Sequence, residues 1–338
     1  MHMADALLSP TVGLSISAVS AGAIAYSVAK IKKDDLSDKK VPIMAVAGAF
    51  VFAAQMINFT IPATGSSGHI GGGLLLAALL GGYPSLLTLS AVLIIQALFF
   101  ADGGLLALGC NILNMGVIPC LLVYPLIFKP IIRRGMSYRN ITLASVLSVV
   151  VGLQLGSLGV VLETYASGVT ELPFGTFLLM MQPIHLAIGL VEGMITAAVI
   201  SFVYSMRPDL IESAQQASLT PRVTLKRVLA LMAILTVLTG GLLSLYASEN
   251  PDGLEWSIEK VAGTAELSSD GELHDNMASL QDKTAFMPDY DYTSESDSIV
   301  PGTSLAGLIG GGLTFLLAGV TGVILSWFKK RKTSPTIP

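Results

Sequence analysis

Nine long apolar runs constrain this chain more than anything else in it. They lie at roughly residues 11–30, 42–61, 68–82, 85–101, 105–128, 141–163, 183–205, 228–247 and 303–328. A helix needs about 20 mostly apolar residues to cross a bilayer. Lipid offers the backbone no hydrogen-bond partner, so only helices or closed barrels cross it. These runs are continuous and do not alternate, which selects helices. Only 12% of the residues are charged, about half the share of a soluble domain. The expected fold is therefore an all-α polytopic membrane protein. A core of about seven helices occupies 1–206, a cytoplasmic linker 207–227, and a domain of two transmembrane helices 228–338.

Charge sets the expected orientation. Lys30, Lys32, Lys33, Lys39 and Lys40 fall between the first two runs, and Lys129, Arg133, Arg134 and Arg139 between the fifth and sixth. Arg207, Arg222, Lys226 and Arg227 fall between the seventh and eighth, and Lys329, Lys330, Arg331 and Lys332 follow the last. With nine crossings all of these share one side, and lysine and arginine mark that side as the cytoplasm. The amino terminus is then outside and the carboxyl terminus inside. The acidic insert 248–300 also faces outside. Its simpler reading is a solvated, partly disordered segment; its functional reading is a surface that gathers cations at the outer mouth.

Several function classes drop out. No Gly-x-x-x-x-Gly-Lys-Ser/Thr loop occurs, so the chain does not hydrolyse ATP by that route. Nothing points to nucleic acid. Cys110 and Cys120 share one apolar run and read as packing. The opening is not a secretory signal, because the first basic residue is Lys30.

The chemistry concentrates on the outer side. A histidine at position 2 aligns three nitrogens: the Met1 amine, the His2 amide and His2 Nδ1. Closed on one ion they form a five- and a six-membered chelate ring. A planar nitrogen set with a deprotonated amide suits Ni(II) or Cu(II), and less strongly Co(II). The initiator methionine should survive, because its removal needs a small second residue. His69, in the glycine-rich turn Thr64–Gly73 on the same side, would supply a fourth nitrogen. Gln55 and Asn58, three apart on one helix face, are candidates either to support His69 or Asp5 through hydrogen bonds or, equally, to join helix to helix. Asn111 and Asn114 are candidates to brace the amino-terminal segment. His185 and Glu192 share a helical face, and a glutamate that deep is a functional candidate. His274 reads as a solvated residue of the acidic insert. Ala45, Ala49 and Ala53 form a small-residue stripe, which either packs within the chain or docks a partner helix.

With these stretches assembled, the chain resembles a family. Met1-His2, the His69 turn, Phe99–Leu105, Asn111–Gly116 and His185–Gly193 look like the CbiM/NikM group, the substrate-specificity (S) component of energy-coupling factor transporters for cobalt and nickel. The likeness covers 1–205. Pro251-Asp252-Gly253-Leu254-Glu255-Trp256 is similar to the small N-type subunit (PDGLE domain), here fused to the core. The resemblance implies Ni2+ or Co2+ as cargo, held by Met1, His2 and His69. It implies a scaffold transmembrane subunit and two cytoplasmic ATPases as partners, with the alanine stripe facing the scaffold. Residues three to five depart from the commonest cobalt-type openings, which leaves nickel against cobalt open. The competing expectation is an intramembrane metal-dependent enzyme built on His185 and Glu192, although no His-Glu-x-x-His pattern is present.

Overall fold

A computed structural model describes residues 1–31, 36, 39–211, 222–265, 267–268, 271–292 and 301–332, without the side chains of 330–332. Lys32, Lys33, the linker stretch 212–221, the insert stretch 293–300 and the side chains of Lys330, Arg331 and Lys332 lie outside the described residues.

In chain order the elements are α1 (Pro10–Lys30), α2 (Lys40–Gln55), the strands β1 (Phe59–Ile61) and β2 (Ser66–Gly68), α3 (Gly73–Leu80) and α4 (Gly82–Phe99). They continue with α5 (Leu108–Arg133), α6 (Tyr138–Ser167), α7 (Phe174–Met206), α8 (Leu225–Gly241), α9 (Gly253–Ala262), α10 (Glu272–Thr284) and α11 (Gly302–Lys332). Six of these, α1, α4, α5, α6, α7 and α11, are long and apolar enough to cross a membrane. Two starts show a local cause. The Ser9 side chain accepts from Val12 N and Pro10 opens α1; the Ser137 side chain accepts from Asn140 N at the start of α6. Within α5 the winding widens over Leu113–Phe128, the stretch that holds Pro119 and Pro125.

The run expected as a third full span, 68–82, is built differently. Gly72 takes a left-handed φ of 74° and Gly81 a φ of 86°, which cut the run to the eight residues of α3, all of them buried. Eight residues rise about 12 Å, too little to cross a bilayer as a helix. Yet Gln55 Nε2 donates to Gly71 O (3.0 Å) and Lys40 Nζ to Leu80 O (3.4 Å). Residues 71–80 thus run antiparallel along α2 from its last residue to its first, part extended and part helical. Non-helical backbone is tolerated at that depth because protein surrounds it.

The alanine stripe needs a correction. Ala45, Ala49 and Ala53 are 4%, 6% and 0% exposed, and what covers them is the carboxyl-terminal pair of helices of the same chain. A Cβ built on Gly319 of α11 would lie 3.3 Å from Ala45 Cβ, and one built on Gly240 of α8 would lie 3.3 Å from Ala53 Cβ. Small residues on all three helices permit this approach, so the stripe is not open to a scaffold subunit. Ala53→Leu is expected to destabilise the chain by about 1–3 kcal/mol through overpacking while leaving metal retained per chain unchanged. Thermal unfolding in detergent beside metal analysis checks both halves.

Over its described residues, 248–265, 267–268 and 271–292, the acidic insert differs from its simpler reading. Its helices α9 and α10 dock on turns of the core. Gln281 Nε2 donates to Ala97 O and Gly103 O, both at 2.8 Å, and Met287 N donates to Phe99 O at 3.3 Å. His274 is not solvated: it is 6% exposed, with Nε2 2.9 Å from Leu8 O.

Candidate metal centre

The first eight residues are inserted into the protein like a plug. Met3, Leu7 and Leu8 are buried. Met3 N donates to Asn111 Oδ1 (2.7 Å), Asn111 Nδ2 to Met3 O (3.3 Å), and Gly104 N to the same carbonyl (2.9 Å). Asp5 Oδ1 accepts from Ala107 N (2.9 Å). Burial pushes the Asp5 carboxyl up, against the opposing pull of the Ala107, Leu106 and Leu105 backbone donors. Asn111 and Asp5 therefore anchor the segment at Met3 and Asp5, just after His2. Gly103, with φ 80°, lets it lie close: a Cβ there would be 2.7 Å from Asn111 Nδ2 and 3.3 Å from His2 Cβ.

His69 reaches the same point from the opposite side. It directly follows the β1–β2 hairpin, paired Phe59 with Gly68, Thr60 with Ser67 and Ile61 with Ser66. Its Nδ1 lies 3.0 Å from Ile70 O. A carbonyl only accepts, so Nδ1 carries the hydrogen and Nε2 offers its lone pair. Nε2 is 3.5 Å from the Met1 amine, and the His69 ring stacks on His2 at 5.3 Å between centroids and 13° between planes. Burial lowers the His69 imidazole to about 4, helped by the neighbouring amine. It is neutral, the form that binds metals, down to about that pH.

Two carboxylates close the group. His2 Nδ1 lies 3.1 Å from Asp102 Oδ1, while His2 Nε2 is buried without a hydrogen-bond partner. The Tyr290 hydroxyl donates to Asp102 Oδ2. Burial alone would raise Asp102, but His2 and Tyr290 outweigh it and hold the carboxyl at about 2. The Met1 amine is ion-paired with Asp252 Oδ2. Burial opposes ionisation of Asp252 too, yet the amine and His69 hold it well below the usual carboxylate range. Asp252 is fixed from behind as the N-cap of α9. Its Oδ1 accepts from Leu254 N (2.7 Å) and Glu255 N (2.9 Å), and Glu255 Oε2 accepts from Asp252 N (2.9 Å). The segment is tied to the His69 hairpin by Ser67 N to Pro251 O (2.8 Å), Ser67 Oγ to Asn250 O (2.7 Å) and Trp256 Nε1 to Thr64 O (3.0 Å).

Other expected residues stand further off. Gln55 binds Gly71 O and accepts from Gln96 Nε2 (2.9 Å), so it steadies the backbone beyond His69 and touches neither His69 nor Asp5. Asn58 contributes its carbonyl, which accepts from Ser248 N (2.7 Å). Asn114 donates to Glu163 Oε2 (2.8 Å), a bond between α5 and α6 that does not brace the amino-terminal segment. His185 and Glu192 line one small cavity of about 50 Å³ together with Met1, His69 and Asp252. His185 Nδ1 is 2.8 Å from Met181 O, and Glu192 Oε1 accepts from Gly72 N (3.1 Å). They are not brought into one ligand set: among the described residues no three His, Cys, Asp or Glu side chains converge to hold a metal.

Residues 2–210 match the model of the cobalt uptake substrate-specific transmembrane region, CbiM. The chain belongs to this family. Residues 226–327 of this CbiM-family chain match the PDGLE domain. It is 33% identical over 244 residues to a putative fused nickel transport protein NikMN of Archaeoglobus fulgidus, spanning 69% of this chain and 75% of that one. It is 29% identical over 275 residues to a probable fused nickel transport protein LarMN of Lactiplantibacillus plantarum, spanning 77% and 79%. Among solved structures it is similar to a truncated transition metal transporter, at 28% identity and a TM-score of 0.53, over 61% of this chain and 99% of that one.

Sequence reasoning passed over Asp102, Asp252 and Tyr290. The turn Ala101–Gly104 and the Pro251–Trp256 stretch were both in view. No local spacing, however, ties a carboxylate to an amine 251 residues away.

Proposed function

We propose that this CbiM-family chain is the substrate-binding membrane subunit of an energy-coupling factor importer for Ni2+ or Co2+. It captures the ion from outside with the Met1 amine, the His2 amide nitrogen and Nδ1, and His69 Nε2. The observation that carries this is the 3.5 Å approach of the Met1 amine to His69 Nε2, with the His2 ring stacked alongside. To close the chelate, the His2 ring turns about Cβ–Cγ and carries Nδ1 from Asp102 to the ion. The proposed division is a metal-binding core at 1–206, a cytoplasmic linker at 207–227 and a PDGLE-type domain at 228–338. The amino terminus is outside and the carboxyl terminus cytoplasmic, in a prokaryotic cell membrane. Transport itself needs a scaffold transmembrane subunit and two cytoplasmic ATPases. The relatives named for nickel transport, and the neutral lone pair of His69, support this reading.

The test is metal content of the purified chain with its native amino terminus, loaded with Ni2+ and Co2+ separately and in competition. About one ion per chain is expected. A chain that retains neither ion after desalting would sink the proposal.

A further inference from the structure

His69 sits between two fixed structures. The hairpin ends at Gly68 and α3 begins at Gly73, so residues 69–72 belong to neither helix nor strand. Two of these four are glycines, whose wide choice of φ and ψ would let the stretch wander. One peptide unit in it is gripped from both ends. Its carbonyl, Gly71 O, accepts from Gln55 Nε2 of α2 at 3.0 Å. Its N–H, on Gly72, donates to Glu192 Oε1 of α7 at 3.1 Å. Together these bonds hold the left-handed φ of 74° at Gly72. The peptide unit before it carries Ile70 O, which lies 3.0 Å from His69 Nδ1 and turns the ring so that Nε2 meets the Met1 amine.

We propose that Glu192 is a positioning residue for the metal centre: through Gly72 it fixes the backbone that aims His69 Nε2 at the divalent cation. This rests on the chelate proposed above. Glu192 is 4% exposed, and an acidic group that deep in a membrane helix is costly to keep. It supplies an acceptor to a buried N–H that no helix or strand bond satisfies, and such a donor is expensive to leave alone.

The two ends of the grip are not equally secured. Gln55 is itself held, because its Oε1 accepts from Gln96 Nε2 at 2.9 Å. Glu192 has no such support among the described residues: its Oε2 is buried without a hydrogen-bond partner. The hold on the Gly72 N–H therefore depends on this one side chain. Losing it frees the stretch that aims His69, while the Met1–His2 end stays anchored through Asn111 and Asp5.

The experiment measures Ni2+ affinity of the full chain by competition with a chelator of known strength. The proteins are the wild type, Glu192→Gln, Glu192→Leu and Glu192→Asp, each with and without His69→Ala. Glutamine keeps a carbonyl oxygen in the place of Oε1 and is expected to bind as the wild type does. Leucine removes the acceptor at similar volume, and aspartate draws it back by one methylene. Both are expected to bind on the order of 10-fold more weakly, the lower range for lost support of a metal-binding histidine. In the His69→Ala background all four should bind alike, since a residue that acts through His69 has nothing left to position. A general loss of structure would repeat there in full. If the leucine variant does not fold, the aspartate variant decides. Wild-type affinity in the variants that withdraw the acceptor, equal weakening by glutamine, or the same loss without His69 overturns this inference alone. A wild type that retains no Ni2+, or a His69→Ala chain that binds as tightly as wild type, overturns the chelate itself.

Discussion

One residue added before Met1 is expected to cost the chain tenfold or more in metal affinity. The spacing between amine and imidazole is fixed by covalent geometry. An extension turns the amine into a peptide nitrogen and moves the new amine out of the planar set. The structure adds a second reason. Met1 is buried, with its amine ion-paired to Asp252 and 3.5 Å from His69 Nε2, so an extra residue must displace that amine from both. Loss of mere outer support commonly costs a metal site 10–100-fold, and here a donor is lost as well. A tag after Pro338 leaves the centre alone. Metal retained per chain is the measurement, with the two tagged proteins purified in parallel; equal retention would show that the terminus does not build the site.

His69→Ala should lower affinity by at least about 100-fold, since it removes a donor outright where outer-shell losses already reach that range. The chain should still fold. The hairpin before His69 is held by its own pairing and by Ser66, Ser67 and Thr64, none of which needs the imidazole. Because burial holds His69 near 4, proton competition at this ring sets in only as pH falls towards 4. Loss of wild-type binding at pH 5–6 must then arise elsewhere in the ligand set. A variant that binds as tightly as wild type, by the same chelator competition, would remove His69 from the site.

The spans were legible because lipid imposes a long, continuous pattern on them. α1, α4, α5, α6, α7 and α11 all announce themselves in this way. The 68–82 run obeys the same composition but not the same geometry. Its glycines at 71–73 and 81–82 shorten it, and its leucines face protein in place of lipid. Hydropathy does not distinguish the two. The alanine stripe shows a related limit: small residues announce a close helix without saying which chain it comes from. At the site, Met1 and His2 were legible because a chelate of neighbouring atoms needs no fold. His69 was legible as a histidine among glycines on the same face. Asp252 and Tyr290 were not, because they sit in a stretch whose acidity reads as solvation until its partners on the core are known.

The amino-terminal plug has a consequence for the order in which the protein is made. Leu8 meets His274, and Met1 meets Asp252, across 266 and 251 residues of chain. The opening residues leave the ribosome first, yet the clasp around them cannot shut until nearly the whole polypeptide has followed. The earliest-made end is thus among the last parts to reach its final place, and translation that stops before residue 252 leaves it without its lock.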